Sequence, residues 1–177
     1  MTIRTCLPSD ADAIATYLRS IPEAERAFSK TEDADADLAS AWAKTADPLR
    51  LLDVTAEGAV RGMIGVRRGR GQSAHTGEIT LMVDPAYRRQ KVASGLARAA
   101  LGAAIAEGLT HVFVEVTAEH TATLGMFGKL GFEGEALLRG FIKTQDGDLH
   151  DLIMMTNRIE ENWAAAHLIG LDVGDAL

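Results

Sequence analysis

The stretch Glu78-Ile79-Thr80-Leu81-Met82-Val83-Asp84-Pro85-Ala86-Tyr87-Arg88-Arg89-Gln90-Lys91-Val92-Ala93-Ser94-Gly95-Leu96 changes backbone pattern twice. Glu78 to Val83 is a strand-like run, and Asp84-Pro85 stops it because proline has no N–H to give to a ladder. Arg88 to Lys91 makes a basic turn. From Val92 to Glu107 the residues Val92, Leu96, Ala99, Ala100 and Ala103 recur at helical spacing, and the many alanines let such a helix lie close on a sheet. The first turn of a helix carries amides without intrahelical partners and a partial positive charge, and small residues there let a phosphate approach the backbone. The segment reads as strand, anion cradle and helix. It has neither the Walker lysine pattern nor the Rossmann glycine spacing, which disfavours nucleotide hydrolysis and hydride transfer.

Working outward, Gly108 ends the helix and His111 to Val116 is a run of β-branched and aromatic residues, so strand, helix and strand form a βαβ crossover with parallel strands. Upstream, Leu49 to Thr55 and Ala59 to Arg67 read as a hairpin joined through Glu57-Gly58. Arg67-Arg68-Gly69-Arg70-Gly71 at its tip reads as a solvated turn rather than a nucleic-acid patch. Ser9-Asp10-Ala11-Asp12 has the form of a capping box with Ser9 as acceptor, ahead of a helix from about 10 to 20 that buries Ile14, Tyr17 and Leu18. Pro22 interrupts it, the acidic segment 23–37 follows, and Leu38 and Trp42 mark a second amphipathic helix. Downstream, a short helix over about 121–130 ends at Gly131, and Glu135 to Lys143 and Leu149 to Thr156 are strands joined by the favoured turn Asp146-Gly147. From Asn157 a short terminal helix with a loose tail is predicted.

With 177 residues, 47% hydrophobic and 24% charged, the chain suits one globular domain and neither disorder nor a disulfide scaffold. No apolar run reaches the length of a membrane span and the first residues lack a signal-peptide pattern, so a cytoplasmic protein with no membrane partner is expected. The net charge of −7 argues against a general nucleic-acid binder. Cys6, the one cysteine, excludes an internal disulfide, and the scattered histidines 75, 111, 150 and 167 show no metal-ligand spacing, so no metal is expected. Cys6 itself reads as a buried, inert thiol, and no Gly-x-Ser-x-Gly elbow is present.

At the loop the chain resembles the GNAT acetyltransferase superfamily. Arg88-Arg89-Gln90-Lys91-Val92-Ala93 is similar to that family's cofactor motif, Arg or Gln, two residues, Gly, one residue, then Gly or Ala, with Lys91 where the first glycine usually stands. A side chain fits there if φ is negative, or if Lys91 points outward or onto a phosphate. Lys129-Leu130-Gly131-Phe132 is similar to the "K-L-G-F" that closes the family's fourth helix, and the element order agrees over about residues 2 to 156. The resemblance implies a mixed α/β fold, a GNAT-like twisted mixed sheet of about seven strands with flanking helices around the central crossover. It implies an acetyltransferase domain over 1–156 with 157–177 as a helical extension of the same domain.

The resemblance further implies acetyl-CoA as acyl donor, with its pantetheine along Leu81, Met82 and Val83 and its diphosphate on Arg88, Arg89, Gln90, Lys91, Val92, Ala93 and Ser94. The acceptor would be an amine, on a small molecule or a protein, attacking directly in a ternary complex. A homodimer is compatible with this reading. A lysine-like amine has a pKa of about 10.4, so a base must take its proton at neutral pH. Glu78, where the family often keeps a glutamate, is the expected base, its pKa raised by partial burial beside Ile79, with Glu115 on the next strand in reserve. A strand amide near Val83 would polarise the thioester oxygen. The family's usual proton donor is a tyrosine four residues before the glycine of its Gly-Phe pair, and here that slot holds Phe127. His120 stands where relatives carry an asparagine and reads as a helix cap or a cofactor contact. A catalytically weak acyl-CoA sensor and a scaffold using the acidic helices are the competing readings.

Overall fold

The computed structural model describes residues 2–23, 25, 36–45, 48–144 and 146–159. Among them run β1 (Thr2–Thr5), α1 (Ala11–Ser20), α2 (Ala36–Lys44), β2 (Leu49–Val54), β3 (Val60–Arg68), β4 (Thr76–Val83), α3 (Val92–Ala106), β5 (His111–Thr117), α4 (Thr121–Lys129), β6 (Glu133–Lys143) and β7 (Leu149–Asn157). The strands form one seven-stranded mixed sheet in the order β1-β2-β3-β4-β5-β7-β6, the architecture implied by the resemblance. Two compact units divide the chain, one of residues 1–66 and 80–100, the other of 67–79 and 101–177.

In the first unit β2 pairs antiparallel with β1 and β3. The apolar stripe of α1 places Ile14, Tyr17 and Leu18 in a core with Leu52, Val54 and Met63. β2 is buried on both faces, so it carries a continuous apolar run broken only by Arg50 and Asp53. Asp53 is fully buried and is satisfied on one oxygen by Arg61, whose Nε and Nη2 donate to Oδ1 at 3.1 and 2.5 Å. The expected cap at Ser9 is not formed. A 3-10 turn over Pro8–Asp10 precedes α1, and the Asp10 carboxylate closes that turn rather than capping α1, its Oδ2 accepting from Leu7 N–H at 2.8 Å while Arg4 Nη1 and Nη2 donate to its two oxygens at 2.7 Å. Cys6 is only partly buried, yet burial and the Asp10 charge push its thiol above the ordinary range, so it stays protonated and inert.

In the second unit Thr76–Ile79 pair in parallel with His111–Val114, as the crossover requires, and β5 and β6 each pair antiparallel with β7. Val112, Val114 and Val116 line one face of β5 and are buried. Gly108 and Gly131 follow α3 and α4 with φ of +73° and +84°, the left-handed conformation that stops a helix. The β6–β7 turn is not the expected two-residue type: Thr144 N–H donates to Asp148 C=O at 2.9 Å and Gly147, at φ +92°, donates to Thr144 C=O at 3.0 Å, a three-residue loop with glycine in its left-handed position. The predicted terminal helix and most of the acidic segment lie outside the described residues.

Candidate active site

β4 ends at Val83 and Asp84 opens a 3-10 turn over Pro85–Tyr87, with its carboxylate accepting from Ala86 N–H at 2.8 Å. Its other oxygen accepts from Ser20 Oγ at 2.5 Å, which ties the turn to the end of α1. Asp84 N–H donates to Arg61 C=O at 3.0 Å, fixing the strand end to β3. Below it, Tyr87 lies under the Arg61 guanidinium, 6.0 Å from the ring centroid, so the buried Asp53–Arg61 pair reaches the loop through a cation–π contact. Tyr17, buried close by, has its phenol pushed well above the ordinary range by burial.

The basic turn takes an unusual course. Arg89 and Lys91 have φ of +61° and +63°, whereas Arg88 between turn and loop is extended. A non-glycine residue in this left-handed region costs roughly 1–2 kcal/mol. The condition of a negative φ at Lys91 is therefore not met. Lys91 holds the backbone form a glycine would take, with its side chain exposed, which is the second of the two ways it could fit. Gly95 N–H makes the first turn's bond to Lys91 C=O at 3.0 Å, so the amides of Val92, Ala93 and Ser94 have no carbonyl four residues back in the helix. Ser94 Oγ also donates to Lys91 C=O, at 3.0 Å. The start of α3 is seated on β3 at Gly62, where an added Cβ would meet Val92 Cγ1 at 2.9 Å and Leu96 Cδ1 at 3.0 Å. Only glycine lets the helix end lie this near, and the helix opens on three amides without intrahelical partners directly after a turn carrying Arg88, Arg89 and Lys91. Such a donor set suits a diphosphate.

Leu81, Met82 and Val83 are partly buried, and the β4–β5 register stops at Ile79 and Val114, before them. Glu78 stands opposite Phe113 in that register. Partners across a ladder share a face and strand residues alternate, so Glu78, Phe113 and Glu115 belong to one face. Both carboxylates are partly buried. Ile79 is buried on the opposite face, so the residue beside Glu78 on its own face is Phe113 rather than the adjacent residue in sequence. The ladder, not the sequence run, carries this information.

Beyond β5, His120 stands at the N-cap of α4 and its carbonyl accepts from Thr123 and Leu124 N–H. Its ring makes no cap bond. Nδ1 pairs with Thr117 Oγ1 at 2.9 Å, which corrects the capping expectation. Next to it Glu119 Oε1 meets His150 Nδ1 at 3.1 Å, and the carboxyl lies below its ordinary range, held there by its own backbone amide and by His150. Phe127 is buried and meets Phe132 edge-on with centroids 4.9 Å apart. Sequence reasoning missed the Arg88 guanidinium's partner, the Glu25 carboxylate. It also missed the Asp53–Arg61–Tyr87 chain, signalled only by a lone aspartate in an apolar run. Among the described residues no cluster of metal-ligating side chains occurs, and no helix is long and apolar enough to cross a membrane.

Comparison with known proteins gives a consistent picture. A family model described as "Acetyltransferase (GNAT) family" matches residues 13–132. No match was found among curated protein sequences. Among solved structures, ribosomal-protein-alanine N-acetyltransferase from Brucella melitensis superposes with a TM-score of 0.76 at 17% identity, over 89% of this chain and 99% of that one. A spermidine N-acetyltransferase chimera from Vibrio cholerae and hSSAT superposes with a TM-score of 0.74 at 17% identity, over 93% and 99%. A protein from Salmonella typhimurium described as an acetyltransferase, solved with its cofactor acetyl-CoA, gives 0.74 at 21% identity, over 90% and 94%. At these identities the likeness is one of fold.

Proposed function

Because the chain belongs to the acetyltransferase (GNAT) family, an N-acetyltransferase family whose acyl donor is acetyl-CoA, we propose that it moves the acetyl group to a primary amine by direct attack in a ternary complex. The observation that carries the reading is the left-handed pair Arg89 and Lys91 set immediately before the first amides of α3. Those amides and the Arg88, Arg89 and Lys91 cations hold the diphosphate, while Leu81 to Val83 offer backbone to the pantetheine arm. On the same strand Glu78 accepts a proton from the incoming ammonium, directly or through water, and Glu115 on its face keeps the local field negative toward a cation. The Val83 amide stabilises the oxyanion as the C–N bond forms and the C–S bond breaks. The departing thiolate takes its proton from water, since Phe127 has none to give.

Support for an amine acceptor comes from the neighbours named for spermidine and for a ribosomal-protein alanine. We read residues 1–156 as one acetyltransferase domain with 157–177 as its extension, a reading that the family match supports over 13–132. We further read the protein as cytoplasmic, with no nucleic-acid or membrane partner, from its charge and lack of apolar runs. Phe127 favours one second reading, an acyl-CoA sensor with little turnover. Thiol release from acetyl-CoA against a panel of primary amines tests the two. Turnover supports the enzyme, binding without turnover on any amine supports the sensor, and neither binding nor turnover defeats both.

A further inference from the structure

Arg61 is the extra residue of a β-bulge. Asp53 pairs with Gly62 and Val54 with Val60, so Arg61 has no partner across the β2–β3 ladder. Side chains of a regular strand alternate between faces, which would turn Arg61 away from the Asp53–Gly62 side, and a bulge is the device that re-aims one. Its Nε and Nη2 both donate to Asp53 Oδ1. Asp53 is fully buried and the Arg61 side chain is 15% exposed. Asp53 Oδ2 has no hydrogen-bond partner among the described residues. A buried ion pair left half satisfied adds little stability over apolar residues of similar volume, so its place in the core calls for another reason.

Arg61 C=O accepts from Asp84 N–H at 3.0 Å, where β4 gives way to the 3-10 turn, and its guanidinium lies 6.0 Å from the ring centroid of Tyr87, where that turn ends. One residue thus holds both ends of the turn. The next residue of β3, Gly62, seats the start of α3, since an added Cβ there would strike Val92 Cγ1 at 2.9 Å. The basic residues 88–91 therefore run between two anchors, Tyr87 and Val92, that rest on consecutive residues of one strand. Between those anchors Arg89 and Lys91 keep φ of +61° and +63°. Strained backbone of this kind persists only where its surroundings over-determine it.

We propose that Arg61, oriented by Asp53, is a positioning residue for this loop: it fixes Tyr87 against β3 and so presets residues 88–91 to receive a diphosphate. The inference rests on the reading of residues 88–94 as the diphosphate site. Asp53→Leu with Arg61→Met replaces the pair by apolar side chains, a change that is often neutral or stabilising. The expected result is a melting temperature at or above that of the wild type, with acetyl-CoA bound roughly tenfold more weakly in calorimetric titration, the loss that one charged hydrogen bond represents. The affinity should also depend less on salt, because fewer cations then meet the phosphates. Tyr87→Leu is expected to reproduce the weaker binding, and Tyr87→Phe, which keeps the ring under the guanidinium, to bind as the wild type does. Arg88→Ala with Arg89→Ala is the reference for the loop itself. Weaker binding in that reference, beside wild-type affinity and salt dependence in the Asp53→Leu, Arg61→Met double variant, would overturn the positioning role alone. Wild-type affinity in both would overturn the diphosphate reading and the inference with it. Should the Asp53→Leu, Arg61→Met variant fail to fold by circular dichroism, the Tyr87 variants decide, and equal affinity in Tyr87→Leu and Tyr87→Phe would overturn the proposal.

Discussion

Arg88 donates from Nη2 to the Glu25 carboxylate, so the first cation of the anion loop is already engaged by a residue just beyond α1. Both side chains are partly exposed, and exposed pairs are worth about 0–1 kcal/mol. A diphosphate, with more charge and better geometry, displaces such a partner easily. Arg88→Ala with Arg89→Ala is therefore expected to weaken acetyl-CoA binding by about 1–3 kcal/mol, more at low salt than at high. Glu25→Gln is expected to tighten it by at most a few fold. Calorimetric titration measures both, and an unchanged dissociation constant in the double variant would remove the phosphates from this loop.

Lys91 and Arg89 hold φ values near +60° without being glycine. Glycine at 91 relieves the left-handed strain but adds freedom to the unfolded chain, and the two terms leave a gain of roughly 0.5–1 kcal/mol. Lys91→Gly should raise the melting temperature slightly, and Lys91→Val, a β-branched residue, should lower it. The reverse order in thermal melts would mean that the loop relaxes to another conformation.

The Asp10 carboxyl is held below the ordinary carboxylate range, first by its hydrogen bonds from Arg4 and then by the Leu7 amide. A carboxyl whose folded pKa is depressed stabilises the fold above its unfolded value near 3.9, and that contribution fades as pH falls through the folded value. Arg4 is about a third exposed, so water screens the pair to about 1 kcal/mol. Asp10→Asn should cost that much at pH 7 in denaturant melts and nothing once the pH lies below the folded value.

The fold was legible where the backbone announces itself chemically. Pro85, Gly108 and Gly131 mark the ends of β4, α3 and α4 because their dihedrals leave little choice, and the crossover between β4 and β5 follows from their spacing. What stayed hidden depended on contacts distant in sequence. Ser9 reads as the capping acceptor on paper, yet it is the Asp10 carboxylate, held by Arg4, that accepts from the Leu7 amide. Asp146-Gly147 suits two hairpin loops, and the pairing of Thr144 with Asp148 selects the longer. Within the candidate site, the loop motif was readable, but the placing of Phe113 beside Glu78 on one face is a property of the ladder register.

Phe127 leaves the site without a phenol in the slot where the family usually has one. A tyrosine acid would give kcat/KM a falling limb as it ionises near pH 10. With Phe127 in place, the rate for a simple amine is expected to rise with pH and then hold level until the protein unfolds. A falling limb near pH 9 would indicate another donor, with Tyr87 the first residue to replace.

In the proposed reaction Glu78 removes the proton from the attacking amine. The most direct measurement is the turnover of Glu78→Gln, by thiol release at pH 7 with saturating acetyl-CoA and an accepted amine, beside its affinity for acetyl-CoA. The expected result is a kcat lower by roughly 10²–10⁴, the usual worth of a general base, with cofactor affinity preserved and the rate recovering at high pH where the amine is already neutral. A wild-type kcat at pH 7, in a variant that binds acetyl-CoA normally, would contradict it and move the role to Glu115 or to water.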